Sequence, residues 1–196
     1  MKFNIPNQLT ILRILLTPVF LIFLLYPMFG EDTGRVIAAV VFLITALTDT
    51  LDGLIARASG SVTDFGKFLD TLADKFLIIS AFAALSASET YRELSAPLIW
   101  LTVVVLLREL AVTSLRLTVK SSGGETVAAN LWGKLKMIVQ CVCILTVILE
   151  PLVLDRPLGL PSGAVSVAMI VLTFAITLYS GYTYFKQYWK YIDPTR

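Results

Sequence analysis

Six stretches of about 20 mostly apolar residues follow one another along the chain, with little sequence between them. A helix of that length crosses the hydrocarbon core of a bilayer. Gly, Pro and Ser residues collect in the intervals, as expected of turns. The pattern predicts an all-α integral membrane protein with a short amphipathic lead-in at residues 2–8. Its six transmembrane helices are predicted at residues 9–28, 36–56, 68–87, 96–118, 135–154 and 164–189.

The composition restricts both the environment and the chemistry of the chain. Hydrophobic residues make up 57% of its 196 residues and charged residues 15%, whereas soluble domains have about 25% charged residues. The six stretches leave no room for a soluble domain, so residues 1–196 are predicted to form one membrane domain. A net charge of +2 is too small to indicate a nucleic-acid partner. Without His, any chemistry must use carboxylates, Lys, Arg or Tyr.

The basic residues are distributed unequally between the two sides of the predicted bundle. Of 16 Lys and Arg residues, only Arg35, Arg92 and Arg156 fall on one side. Because cytoplasmic loops carry the excess of basic residues, both termini are predicted to face the cytoplasm. We therefore expect a multi-pass protein of the inner, or cytoplasmic, cell membrane.

Four aspartates lie where the second predicted helix ends and the third begins. Asp49 and Asp52 are three residues apart and Asp70 and Asp74 are four apart, so each pair shares a helix face. A short connection makes the two helices antiparallel neighbours, which lets the pairs converge on one cavity. Such carboxylates repel one another unless cations neutralise them, and oxygen-only ligands suit Mg²⁺ or Mn²⁺. An isolated Asp in a membrane helix can also serve packing or proton relay.

Basic residues gather on the same side as the four aspartates. Several lie inside apolar helices, where an ionisable group is a functional candidate, although Lys and Arg near helix ends often snorkel or set topology. Gly53 and Gly66 flank the aspartates and would leave space for a ligand, but helix packing explains glycine there equally well. Acids for metal beside basic groups for phosphate indicate a phosphate-ester site. The basic candidates are Arg57, Lys75, Arg108, Arg116, Lys134 and Lys136.

From Asp49 to Asp74 the sequence follows the pattern D-x2-D-G-x2-A-R-x8-G-x3-D-x3-D. This pattern resembles that of the CDP-alcohol phosphatidyltransferases, and every fixed position is met. The resemblance implies that the four aspartates surround two divalent ions, with Asp74 also the base for the attacking hydroxyl. It further implies a binding site for the CDP-lipid made by Asn7, Thr10, Asp52, Gly53, Ala56, Arg57 and Gly66.

Three other segments are similar to one branch of that family, the bacterial phosphatidylglycerophosphate synthases. They are NIPNQLTILR from Asn4, RELAVTSLR from Arg108 and VAANLWGKLK from Val127. Met137 departs from the branch, in which a Thr follows the G-K-x-K run. The resemblance spans nearly the whole chain and is weakest in the last helix.

The resemblance implies attack by the 1-hydroxyl of sn-glycerol 3-phosphate on CDP-diacylglycerol, with release of CMP. Relatives are homodimers, so a homodimer is expected. The acceptor carries a phosphate dianion, so its pocket needs further cations. The candidates are Arg13, Lys75, Arg108, Arg116, Lys134 and Lys136.

Two kinds of alternative remain open at this stage. Within the family, the acceptor could be inositol phosphate, or phosphatidylglycerol as in one kind of cardiolipin synthase. Outside it, a divalent-cation or proton-coupled transporter could also line a path with carboxylates. A transporter would need polar residues that continue to the far side, whereas the outer halves of the predicted helices are almost wholly apolar.

Overall fold

The computed structural model describes residues 5–26, 28–59, 64–121, 131–155 and 163–192. Within these ranges the side chains of residues 5–6, 49–59, 64, 67, 120, 154–155 and 190–192 are outside the described part. All six predicted helices are confirmed, and most begin about a turn earlier than the apolar runs suggested. They are α1 (Ile5–Leu25), α2 (Glu31–Ser59), α3 (Asp64–Ala87), α4 (Ser95–Ser121), α5 (Leu131–Glu150) and α6 (Ala164–Ile192).

Short irregular elements connect or extend these helices. A 3-10 segment, Glu89–Leu94, joins α3 to α4, and a π-helical turn, Pro151–Asp155, extends α5. The predicted lead-in at residues 2–8 is not separate from the first helix, because α1 runs without interruption from Ile5. Pro6 fits there, since the first turn of a helix needs no backbone N–H donors. Residues 2–4 lie outside the described residues.

The described helices pack as a bundle around a main apolar core, with a smaller apolar cluster between α4 and α6. α1 lies along α2 and α3, while α6 lies along α4 and α5, and contacts between α3 and α4 join the two groups. Phe20 and Phe42 pack with ring centroids 5.3 Å apart between α1 and α2. Phe82, Leu85 and Leu98 are fully buried between α3 and α4. This core reaches the predicted site, because its members Ile78 and Val105 also line the cavity there.

The outer faces of the bundle are apolar. Leu15 is 63% exposed, Leu107 60% and Val171 62%. In water this surface would be unfavourable, whereas lipid chains solvate it. Four segments of the described chain have the length and apolarity to cross a bilayer: Asn7–Leu25, Glu89–Val119, Leu131–Val153 and Ala164–Trp189. The chain is therefore an all-α, multi-pass membrane protein.

Fewer segments of the described chain qualify as membrane spans than there are helices in the bundle. α2 and α3 are long enough, but neither is among the spans found in the described residues. Charged residues interrupt the apolar run of α3, where Asp70, Asp74 and Lys75 all lie in its first half. The count of six spans stays a prediction.

A buried carboxylate closes the first turn of α6. Glu150, only 1% exposed, accepts hydrogen bonds of 2.7 Å from the backbone N–H groups of Val165 and Ser166. Gly163, with φ of 77°, supplies the left-handed turn that leads into this helix. A carboxylate suits this position because the first N–H groups of a helix have no partner within it and carry partial positive charge.

Replacing Glu150 with Ala should lower the free energy of unfolding by about 1–3 kcal/mol, because two buried N–H groups lose their acceptor. Denaturant titration in detergent micelles would measure this loss. Glu89→Ala is the control, since the Glu89 side chain is 89% exposed and its pair with Arg92 lies at the surface. Equal stability of the two variants would contradict the capping role.

Candidate functional site

A buried arginine of α1 faces two carboxylates of α3. Arg13 is fully buried, and its Nη1 donates to Oδ1 of Asp70 at 3.1 Å and to Oδ1 of Asp74 at 3.4 Å. The two aspartate side chains are 46% and 34% exposed. A guanidinium inside an apolar bundle requires such partners, because an unpaired buried charge is strongly destabilising. Arg13 therefore directs both carboxylates toward one point.

Asp70 and Asp74 have the chemistry that a hard divalent cation requires. Both offer carboxylate oxygens from one face of α3, as the i,i+4 spacing predicted, and both line the same cavity. Asp49 and Asp52 lie on the last turns of α2, but their side chains are outside the described residues. Within the described part no three potential ligands come together. The pair fits a metal, and the set of four stays a prediction.

The cavity beside Asp70 and Asp74 has a volume of about 160 Å³ and brings acidic and basic groups together. Lys75, Glu109 and Lys136 contribute its other charged side chains. It is closed by Thr71, Ile78, Ile79, Val105, Met137 and Gln140. Carboxylates suited to a cation and ammonium groups suited to an anion therefore line the same cavity between α3, α4 and α5.

Glu109 pairs with two of the basic candidates and offsets one of their two positive charges. Its Oε1 accepts from Nη1 of Arg108 at 2.9 Å and from the ammonium group of Lys136. All three side chains are about nine-tenths buried, at 10–12% exposure. Without this carboxylate, two cations would lie close together in an apolar bundle, which costs several kcal/mol. Glu109 thus contributes to the position of both cations.

Two further contacts hold the basic side chains to neighbouring helices. The ammonium group of Lys75 donates to the hydroxyl of Thr113, which itself donates to the backbone carbonyl of Glu109 at 2.7 Å. Nη2 of Arg108 donates to the hydroxyl of Ser180 on α6 at 2.7 Å. These bonds tie α3 and α6 to α4 at the end of the bundle where the charges lie.

Arg116 does not line the cavity and instead contacts α6. Its Nη2 donates to the phenolic oxygen of Tyr184 at 2.8 Å, and its guanidinium carbon lies 5.0 Å from the centre of that ring. The guanidinium carbon of Arg108 lies 5.2 Å from the same ring centre. One tyrosine therefore contacts both arginines.

Of the site residues predicted from sequence, the cavity brings together Asp70, Asp74, Lys75 and Lys136. Arg13 was predicted to bind the acceptor phosphate, but its guanidinium faces Asp70 and Asp74; the predicted role stays untested. Lys134 is exposed at the start of α5. Asn7 and Thr10 are buried on α1, and Gly66 lies in the first turn of α3. The side chains of Asp52, Ala56 and Arg57, with Gly53, fall outside the described residues.

Sequence reasoning gave no role to five residues that the structure brings to this region. Glu109 could have been found, because it is an acid in an apolar helix directly beside Arg108. Ser180 and Tyr184 stand four residues apart on one face of α6, a spacing that also suits ordinary packing. Gln140 and Thr113 carry no sequence signal, because polar residues of this size are common in membrane helices.

Known proteins of similar sequence belong to the family that the aspartate pattern resembles. The family model for CDP-alcohol phosphatidyltransferase matches residues 3–179. A Bacillus subtilis relative named CDP-diacylglycerol–glycerol-3-phosphate 3-phosphatidyltransferase is 36% identical over 197 residues, covering 96% of each chain. A Mycobacterium tuberculosis relative, described as a probable phosphatidylglycerophosphate synthase, is 42% identical over 170 residues, covering 87% of this chain and 76% of its own.

A solved structure shares the fold. The M. tuberculosis phosphatidylinositol phosphate synthase, crystallised with CDP-DAG bound, aligns with a TM-score of 0.62 at 22% identity. The alignment covers 94% of this chain and 86% of that one.

Arg13→Gln should destabilise the fold in EDTA by about 1–3 kcal/mol, less than a fully buried ion pair, because Asp70 and Asp74 are partly exposed. A double-mutant cycle with Asp70→Asn, measured by unfolding in micelles, should give a coupling of at least about 0.5 kcal/mol. Arg92→Gln is the comparison variant, because Arg92 is 82% exposed and its ion pair with Glu89 lies at the surface. Additive effects of Arg13→Gln and Asp70→Asn would show that the contact does not organise the carboxylates.

Proposed function

Because the chain belongs to the CDP-alcohol phosphatidyltransferase family, we propose that it transfers the phosphatidyl group of CDP-diacylglycerol to sn-glycerol 3-phosphate. The products are phosphatidylglycerol phosphate and CMP. The observation that carries the proposal is the cavity in which Asp70 and Asp74 face Lys75 and Lys136. The names of relatives that are 36% and 42% identical support the choice of acceptor.

The donor binds at the aspartate end of the cavity. Asp49, Asp52, Asp70 and Asp74 hold Mg²⁺ or Mn²⁺, two ions by family resemblance, and bound metal would neutralise the pyrophosphate and stabilise the departing CMP. Arg13 supports this arrangement, since it orients Asp70 and Asp74 from the buried side while they stay open to the cavity. The CDP-lipid contacts Asn7, Thr10, Asp52, Gly53, Ala56, Arg57 and Gly66.

Asp74 acts as the general base. It accepts the proton of the acceptor's 1-hydroxyl as that oxygen forms a bond to the phosphorus next to diacylglycerol. The bond from this phosphorus to the oxygen of CMP then breaks, and CMP leaves with the electron pair. Asp74 suits the role because it lines the cavity and its side chain is 34% exposed. The contact with Arg13 also holds the carboxylate in one orientation. Positioning of this kind, together with charge neutralisation, supplies most of the catalysis in phosphoryl transfer.

The acceptor's own phosphate is bound by the basic groups. Lys75 and Lys136 line the cavity, and Lys136 is held in place by Glu109. Arg108, Arg116 and Lys134 complete the acceptor set, with guanidinium groups suited to two-pronged contact with phosphate. The phosphate dianion matches this excess of cations better than a neutral alcohol would.

The protein works in a lipid bilayer, from which CDP-diacylglycerol reaches the cavity laterally. We place it in the inner membrane, with both termini and the cavity on the cytoplasmic side, where sn-glycerol 3-phosphate is dissolved. The uneven distribution of Lys and Arg supports this orientation. A homodimer remains the expectation from the family.

Asp49→Asn, Asp52→Asn and Asp70→Asn should each reduce turnover to background in detergent micelles, because a shared cation site loses charge and geometry with any one carboxylate. CMP release from CDP-diacylglycerol and sn-glycerol 3-phosphate gives the rate. EDTA should abolish wild-type activity, and added Mg²⁺ or Mn²⁺ should restore it. Glu31→Gln, a change at an exposed position, is the control and should keep full activity. Full activity in EDTA, with metal removal verified by elemental analysis, would refute the metal site.

Cysteine labelling in sealed vesicles tests the orientation. Cysteine introduced at Ser61 or Ser122 should react only with reagent on the cytoplasmic side, and cysteine at Glu89 only from the outside, because the basic residues favour that topology. The endogenous Cys141 and Cys143 are first replaced by Ala. The reverse labelling pattern would place the cavity on the opposite side of the membrane from its soluble substrate and would contradict the proposed orientation.

A further inference from the structure

Tyr184 is buried where α4, α5 and α6 meet. Only 2% of it is exposed, and its ring contacts the guanidinium groups of Arg108 and Arg116 at 5.2 and 5.0 Å. The two arginines are eight residues apart on α4, a rise of about 12 Å, so the ring fills the gap between their side chains. Tyr188, which is fully buried, stacks behind it with ring centroids 6.4 Å apart. The ring is therefore held on several sides.

Arg116 depends on this tyrosine more than Arg108 does. Arg108 has the Glu109 carboxylate and the Ser180 hydroxyl as partners. Among the described residues, Arg116 has no acidic partner, and the bond to Tyr184 is the only hydrogen bond from its guanidinium. Its positive charge is thus kept in place by a neutral side chain and is not cancelled. Such a guanidinium is suited to bind an anion.

Gly133 provides the space that the tyrosine hydroxyl occupies. A methyl group in place of its hydrogen would lie 2.9 Å from the phenolic oxygen of Tyr184, closer than carbon and oxygen pack. The ring carbons would be at 3.6 and 3.7 Å, which is ordinary contact. Only the hydroxyl therefore conflicts with a larger residue at this position. Gly133 directly precedes Lys134, so the contact also bears on the start of α5.

We propose that Tyr184 is the positioning residue that holds Arg116, and through its ring Arg108, in the geometry that binds the phosphate of the acceptor, with Gly133 admitting its hydroxyl. The inference rests on the proposed function, because it assigns the anion to the acceptor. Tyr184 does not touch the reacting atoms. It sets the direction of the guanidinium groups, and a change there affects recognition of the acceptor more than recognition of the CDP-lipid.

Tyr184→Phe tests the hydrogen bond while it keeps the ring. The KM for sn-glycerol 3-phosphate should rise about tenfold, because a hydrogen bond to a charged group is lost. The KM for CDP-diacylglycerol and the melting temperature without ligand should stay within twofold and within a few degrees of wild type. Thermal stabilisation by inorganic phosphate, which needs no turnover, should fall as well. Tyr182→Phe is the matched control, since Tyr182 is 60% exposed on the same helix.

Gly133→Ala gives a second and independent test. Alone, it should raise the acceptor KM at least severalfold, because the hydroxyl of Tyr184 and with it Arg116 must move. Combined with Tyr184→Phe, it should add almost nothing, because the conflicting oxygen is gone. This suppression distinguishes a positioning role from general destabilisation, which would make the two changes additive.

Different outcomes would contradict the role of Tyr184 and the proposed function. An unchanged acceptor KM and unchanged phosphate stabilisation in Tyr184→Phe would overturn it, as would equal losses for both substrates or additivity with Gly133→Ala. If Tyr184→Phe does not fold, the acceptor KM of Gly133→Ala decides. If the wild type does not use sn-glycerol 3-phosphate, the proposed function fails, and the loss of phosphate stabilisation in Tyr184→Phe still decides whether Tyr184 positions an anion site.

Discussion

Charged side chains within an apolar helix bundle are stable only when partners compensate them, and the contact of Arg13 with Asp70 and Asp74 meets this requirement at the centre of the site. Without Arg13, the two carboxylates would repel each other and turn toward water. With it, they are oriented while remaining partly exposed to the cavity. The same contact joins α1 to α3, so the geometry of the site and the packing of the bundle depend on one interaction.

The basic side chains of α4 and α5 have partners of two different kinds. Glu109 compensates Arg108 and Lys136, whereas Arg116 is held by the ring and hydroxyl of Tyr184. The carboxylate offsets one of two positive charges, and the aromatic partner leaves the charge of Arg116 available. The result is a bundle end that is acidic near Asp70 and Asp74 and increasingly basic toward α6. A substrate with a metal-bound pyrophosphate and an acceptor with a free phosphate match these two regions.

Much of this could be predicted from the sequence, because helices and motifs leave local patterns. Apolar runs of membrane length gave all six helices, and the spacing of Asp70 and Asp74 gave their shared face. Partners far apart in the chain could not be predicted in this way. Arg13 was assigned to the acceptor, although its contacts are with aspartates 57 and 61 residues away. Tyr184 was not singled out, since an aromatic residue on an apolar helix usually packs. Only the tertiary arrangement reveals such pairs.

The most direct test of the account follows one oxygen atom through the reaction. CDP-diacylglycerol is incubated with sn-glycerol 3-phosphate that carries ¹⁸O in its 1-hydroxyl, and the products are identified by mass spectrometry. Attack by that hydroxyl on the phosphorus next to diacylglycerol predicts phosphatidylglycerol phosphate that retains the label in its phosphodiester, together with unlabelled CMP. Formation of phosphatidate and labelled CDP-glycerol, or loss of the label from phosphatidylglycerol phosphate, would contradict the account.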